Sequence, residues 1–270
     1  MREALDRIDD ALHDLLMQRA QVVERVAKSG KRSAYRPGRE ASIIRRLLAR
    51  HTGQLPPQVL VRVWRELLAG TTAMQGGFRV AVGQAGSEFV QTAREHFGAL
   101  TPLLARSSPG QAITDVTLGA ASVAVLPMPS ETDTPQEAWW TGLLHQDARC
   151  LHVVARLPFW TRRPEGAPAV QALAVAAEAP DPSDRDRSLI GFELDLDVSR
   201  DRLNAALAAS GLAPVHTILR RDPGATVAHA LLEIDGFVPA DDSRLAGLDA
   251  TLRRPVVLGA YAIPEPGGAA

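Results

Sequence analysis

The sequence predicts a multidomain chain: an all-α three-helix region intertwined with a second copy of itself, then an α/β layer region, then an α+β ferredoxin-like unit. Three observations predict it. Apolar residues spaced by threes and fours dominate residues 2–76. From residue 78, short apolar strands alternate with helical stretches. From residue 188 the elements read βαββαβ. The boundaries fall at 1–77, 78–182 and 183–264, and residues 265–270 read as a disordered tail.

The first helix runs from Arg2 to near Ser29, with Leu5, Ile8, Leu12, Leu15, Val22 and Val26 on one stripe. Arg19 interrupts that stripe. A guanidinium there is costly unless an anion or a set of acceptors meets it, either a glutamate of the protein or a ligand carboxylate. Gly30 and the polar stretch Lys31–Tyr35 end the helix. Pro37 suits the first turn of a second helix, which continues through Leu48. After Gly53, Pro56 and Pro57 start a third helix, with Leu60, Val63, Leu67, Thr71 and Met74 on one face and Gly76–Gly77 closing it. At ~1.5 Å per residue the first helix is about 40 Å long. One short hairpin cannot cover so long a stripe, so a second copy of the chain is expected to complete the core.

Phe78–Val82 is a short apolar strand, followed by Gly83-Gln84-Ala85-Gly86-Ser87 and a helix through His96. Val123–Leu126 and Cys150–Val154 are further strands. Pro164–Pro182 holds a last strand and a linker. Next come a strand over Ser188–Leu196 and a helix over Arg200–Ser210. Pro214–Arg221 and Val227–Ile234 pair around Asp222-Pro223-Gly224. Arg244–Leu252 reads as a helix and Val256–Ile263 as the last strand. The Gly-x-x-Gly loop at Gly83 is too short a signal to assign phosphate binding.

Composition narrows the function classes. The chain has 270 residues and a formal net charge of -1, so no global field draws it to nucleic acid or an acidic membrane. Its single cysteine, Cys150, excludes an internal disulfide and a CxxC metal site. No apolar run approaches the roughly 18–20 residues that span a bilayer. The amphipathic, partly acidic opening does not resemble a signal peptide. A cytoplasmic protein without metal or cofactor is expected. Charge is local instead: Arg25, Lys28, Lys31, Arg32, Arg36, Arg39, Arg45 and Arg46 crowd the first two helices against Glu24 and Glu40.

The candidate site residues are Arg2, Arg19, Lys28 or Lys31, Arg39, Glu40, Thr71 and Gln75. Thr71 and Gln75, four apart, share a helix face near Arg19. Arg2 and Arg19 are about 260° apart around an ideal helix and cannot serve one pocket from one chain. In a dimer, Arg2 of one chain can reach the pocket of the other. Several fixed cations, one acid and one neutral amide suit a small substrate with two carboxylates.

Arg2, Ile8-Asp9, Leu12, Leu15-Leu16 and Arg19 resemble the first helix of the all-helical chorismate mutase family. Arg36-Pro37-Gly38-Arg39-Glu40 with Ile43-Ile44 and Arg46-Leu47 resembles its second, and Arg62 with Thr71-Thr72-Ala73-Met74-Gln75 its third. The resemblance implies a cofactor-free pericyclic conversion of chorismate to prephenate by a homodimer with shared sites. Such an enzyme holds a dianion in a compact conformer and stabilises charge on the breaking ether oxygen. On that reading Arg19, Arg39 and Arg2 of the partner clamp the carboxylates. A lysine and Gln75 donate to the ether oxygen, Glu40 accepts from the substrate hydroxyl, and Thr71 either contacts substrate or bonds back to its own helix. The family's lysine position falls on Gly30; Lys31 is favoured over Lys28.

Val80–Phe89, Ala93, His96-Phe97-Gly98 and Val125-Leu126-Pro127 resemble prephenate dehydratase, which implies a periplasmic-binding-like α/β region followed by an ACT-like regulatory domain. The family's Glu-Asn-Ser motif reads Met128-Pro129-Ser130 here, and its Thr-Arg-Phe segment falls on Gln171-Ala172-Leu173. The Gly-Ala-Leu and Glu-Ser-Arg-Pro effector segments are not found. The expectation is a chorismate mutase that has lost dehydratase chemistry. The alternatives are a non-catalytic dimeric regulator or scaffold that binds an aromatic metabolite or a partner and, less favoured, a live bifunctional mutase–dehydratase.

Overall fold

The computed structural model describes residues 1–28, 35–84, 86–145, 150–248 and 252–267, the Arg254 side chain excepted. Three helices open the chain: α1 (Arg2–Lys28), α2 (Pro37–Ala49) and α3 (Pro57–Ala73). Prolines begin α2 and α3, where a missing N–H leaves no helical bond unmade. α1 has no buried residue, and its Leu5, Ile8, Leu12 and Leu15 remain 54–61 % exposed. No helix among the described residues is long and apolar enough to cross a membrane.

Within one chain, α3 buries a different stripe from its Leu60–Met74 face. Val61, Arg65, Leu68, Thr71 and Thr72 are buried, whereas Val63 and Met74 are exposed. α3 carries two apolar stripes, and the position of its neighbours decides which one is covered. Val61 and Leu68 pack with Ala41 and Ile44 of α2 and with Phe159 and Ala262.

Among the described residues nine strands follow: β1 (Val80–Val82), β2 (Leu103–Ala105), β3 (Val123–Pro127), β4 (His152–Leu157), β5 (Ala172–Ala176), β6 (Asp186–Leu194), β7 (Pro214–Arg220), β8 (Ala228–Asp235) and β9 (Leu252–Ala262). They form one sheet in the order β2-β1-β3-β5-β4-β9-β6-β8-β7. β1 runs parallel to β2 and β3, and β5 antiparallel to β3 and β4. The two regions expected on either side of residue 182 therefore share a sheet, joined where Val153 of β4 pairs with Gly259 of β9. Gly259 has φ 135°, and a Cβ there would strike the Val153 backbone, so only glycine permits that junction.

α4 (Ser87–Phe97) covers one face of the sheet with Phe89, Ala93 and Phe97. The other face receives α5 (Pro109–Thr117) and a 3-10 helix (Trp139–His145) carrying Trp139, Trp140, Leu143 and Leu144. β2, α5 and the 3-10 helix are additions to the sequence reading. Gly83 abuts the Leu126 side chain and the Pro109 backbone, where a Cβ would lie 2.7 and 2.9 Å away. That glycine serves close packing.

With α6 (Arg200–Ala209) and α7 (Ser243–Ala246), strands β6–β9 alternate as βαββαβ, all neighbours antiparallel, in the ferredoxin-like order β9-β6-β8-β7. α7 is far shorter than the expected Arg244–Leu252 helix. Leu252 instead opens β9 opposite Leu194, because that pairing buries it in the α6 core. The tail expectation is also corrected at its start: Glu265 bridges to Trp160 and is held by Arg45.

Arg45 pins α2 to this sheet. Its Nε donates to Glu265 at 2.7 Å, Nη1 to the Ser183 carbonyl at 2.9 Å and Nη2 to the Ile263 carbonyl at 2.6 Å. The guanidinium fork thus holds both ends of the 183–265 region against one helix.

Candidate active site

Arg19, Glu40, Thr71 and Gln75 come together where α1, α2 and α3 meet. Arg19 Nη1 donates to Thr71 Oγ1 at 3.2 Å. The Thr71 hydroxyl in turn lies 3.0 Å from the Leu67 and Leu68 carbonyls, to which it donates. It therefore bonds back to its own helix and meets Arg19 at once. Burial lowers the pKa of Arg19, and the Glu40 charge opposes that shift. Gln75 Nε2 is 3.5 Å from the Thr71 carbonyl, the outer limit of a hydrogen bond, so its amide is not firmly committed.

Glu40 is buried in the first turn of α2 and accepts from Arg65 Nη1 at 2.9 Å. Burial pushes its carboxyl up to about 7; Arg65 and Arg19 oppose the shift and Asp181 adds to it. Burial likewise lowers the pKa of Arg65. Desolvation acts on both partners in the direction that favours their neutral forms.

The remaining expected residues are dispersed. Arg39 is exposed; its backbone N–H donates to Asp181 at 3.2 Å, and its guanidinium has no partner among the described residues. Arg2 is exposed at the far end of α1, seventeen residues from Arg19, and one chain does not bring the two together. Lys31 lies outside the described residues. Lys28 pairs with Glu24 at 2.7 Å on an exposed face. A cavity of about 950 Å³ opens beside Gln75, with Ala27, Arg36, Phe78, Glu178 and Asp181 in its wall.

Two participants escaped the sequence reading. Asp181 leaves the linker to accept from Arg36 at 3.1 Å, and Gly38 lets it approach, since a Cβ there would strike the Asp181 carbonyl. No local pattern announces such a distant contact. Arg65 did leave a signal. It sits within Val61, Leu68 and Thr72 as Arg19 sits within its own stripe, a cation on a buried helix face.

Further along, Gln171 is exposed and accepts from Arg156 at 2.7 Å. Ala172 and Leu173 are buried inside β5. These three side chains offer no acid, base or cation to a ligand.

Residues 1–76 match the chorismate mutase type II family. The chain is 26 % identical over 142 residues to a bifunctional chorismate mutase/prephenate dehydratase of Stutzerimonas stutzeri, covering 49 % of this chain and 39 % of that protein. It is 29 % identical over 134 residues to the protein so described from Neisseria gonorrhoeae, covering 49 % of this chain and 37 % of the relative. The match thus spans under two fifths of the length of these relatives. Among solved structures, prephenate dehydratase from Arthrobacter aurescens, crystallised in complex with L-Phe, aligns with 71 % of this chain and 93 % of its own, at 13 % identity and a TM-score of 0.50. That likeness is one of fold.

Proposed function

We propose that this chain, which carries a chorismate mutase type II domain over residues 1–76, converts chorismate to prephenate as a homodimer with two shared sites. The observation that carries the reading is the junction of Arg19, Thr71, Glu40 and Gln75 on three helices. The reaction is pericyclic and needs no nucleophile, metal or cofactor. What it needs is a dianion held compactly and donors aimed at the breaking ether oxygen. Arg19 and Arg39 bind carboxylates, with Arg2 supplied by the second chain. Gln75 donates to the ether oxygen beside Lys31. Glu40 accepts from the substrate hydroxyl while Arg65 holds the carboxylate in place.

The exposed stripe of α1 and the uncovered Val63 and Met74 of α3 support the dimer. Burying one Leu or Val side chain is worth about 1.5–3 kcal/mol, so two such stripes in contact would outweigh the cost of association. The third region is proposed as ACT-like on its strand order. Dehydratase chemistry is assigned as absent, supported by the burial of Ala172 and Leu173 in β5.

One assay tests the whole reading. Purified protein is given chorismate, and chorismate loss, prephenate and phenylpyruvate are followed together. The expected outcome is prephenate accumulating at neutral pH. Protein-dependent phenylpyruvate would establish the bifunctional alternative, and unchanged chorismate the scaffold.

A further inference from the structure

On the far side of the Glu40–Arg65 pair lies a second cavity, of about 410 Å³, between α3, the end of α4 and residues 158–164. Its walls are apolar at Val59, Val61, Pro158 and Trp160, yet four guanidinium groups line it, Arg62, Arg65, Arg162 and Arg163, against the single carboxylate of Glu95. Glu95 is already engaged by Arg163 at 2.6 Å. Arg62 has no partner among the described residues. Arg65 lies over the Phe159 ring, 4.9 Å from its centroid. The volume suits a small organic molecule, and the Arg62 guanidinium beside Arg65 calls for an anion.

A buried polar atom marks the same wall. His96 lines the cavity with its Nε2 3.1 Å from the Tyr35 hydroxyl, while its Nδ1 is buried without a hydrogen-bond partner. Such atoms are rare in folded proteins, and this one is closed off from the cavity as it stands. Burial, reinforced by the Arg65 charge, holds this imidazole neutral.

We propose that this cavity binds a small carboxylate bearing an apolar ring, and that its occupancy is felt at Glu40 through Arg65. The ring packs against Trp160 and the valines, and the carboxylate meets Arg62 and Arg65. Two wall residues face both ways: Arg65 donates to Glu40, and His96 contacts Tyr35, two residues before α2 of the mutase domain. An anion drawing Arg65 toward the cavity weakens its hold on Glu40. The coupling rests on the mutase reading; the binding site does not.

Calorimetric titration of the full chain with phenylacetate tests the site, with benzylamine as the cationic control of similar shape. The expected result is one phenylacetate per chain, weakened at least tenfold by Arg62→Glu and by Trp160→Ala, with no saturable benzylamine binding. Arg19→Ala should retain phenylacetate, which separates this cavity from the chorismate site. Circular dichroism verifies folding, and Arg62→Gln substitutes if the charge reversal does not fold. No saturable phenylacetate binding, equal benzylamine binding, or loss of binding in Arg19→Ala alone would overturn the site. For the coupling, saturating phenylacetate should shift the KM for chorismate in the wild type and leave Trp160→Ala unmoved. An identical response in both proteins would overturn the coupling while the site stands.

Discussion

At the scale of single residues, Glu40 and Gln75 govern how the protein responds to pH. Burial raises the Glu40 carboxyl from 4.5 to about 7 in the folded chain. The folded state therefore holds that proton more tightly than the unfolded one. The resulting stabilisation is fully present below pH 4.5 and is lost as pH rises through about 7. The thermal midpoint of the wild type should accordingly fall between pH 5 and 8 by more than that of Glu40→Gln, and melts at both pH values check it. Turnover should move the other way, because the ionised carboxylate is the better acceptor for a substrate hydroxyl: kcat/KM rises through neutrality in the wild type. Gln75→Glu tests the amide. An ionised acid cannot donate to the ether oxygen and repels its developing charge. Removing such a donor typically costs on the order of 10²–10³ in kcat. Measured against the wild type at each pH, the variant should therefore lose least at acidic pH and most above neutrality. A profile parallel to the wild type's would make Gln75 a mere cap of α3.

At the scale of elements, α2 is one of the pieces that join the mutase helices to the rest of the chain, beside α3, whose Glu66 accepts from the Ala99 N–H. Arg45 reaches Glu265, Ser183 and Ile263 from the outer face of α2, and Ile44 fills the core beneath. Arg45→Ala leaves the Glu265 carboxylate, only 15 % exposed, with the more exposed Arg185 as its remaining ion-pair partner at 3.2 Å. Because Arg185 remains, the cost falls below the roughly 3–5 kcal/mol of an uncompensated buried charge. A matching fall in the urea midpoint is expected, together with weaker attachment of α2 to the sheet. Hydrogen exchange should show that weakening as faster amide exchange across α2 than across β6 or β8. Equal loss of protection everywhere would mean that Arg45 supports global stability only.

At the scale of the whole molecule, the separation of Arg2 from Arg19 along α1 is decisive. Neither Arg2→Ala nor Arg19→Ala should turn over chorismate well alone. Mixed and allowed to exchange, the two variants should recover activity corresponding to about one intact site per heterodimer. Absence of recovery, with exchange verified, would count against shared sites. Leu12→Glu, placed in the exposed α1 stripe, should yield a monomer by light scattering and abolish turnover. A dimer that survives this change would have to use another face.

The sequence by itself determined the three helices, the alternation of strands and helices after residue 78, and the βαββαβ order, because hydrophobic period and turn residues are local properties. It also singled out Arg19 and Thr71, because a polar residue inside an apolar stripe is visible without coordinates; Gln75 followed from its spacing to Thr71, and Glu40 from its place among the cations and the family resemblance. Only the tertiary structure decided which stripe of α3 is buried, that the sheet runs unbroken through the Val153–Gly259 junction, and that Arg65 faces both Glu40 and a second cavity. It likewise decided that Asp181 settles against Arg36, and that Leu252 belongs to a strand. Each of these depends on a contact between residues far apart in the chain, whose energy is set by what lies opposite, and a one-dimensional pattern carries no record of its opposite wall.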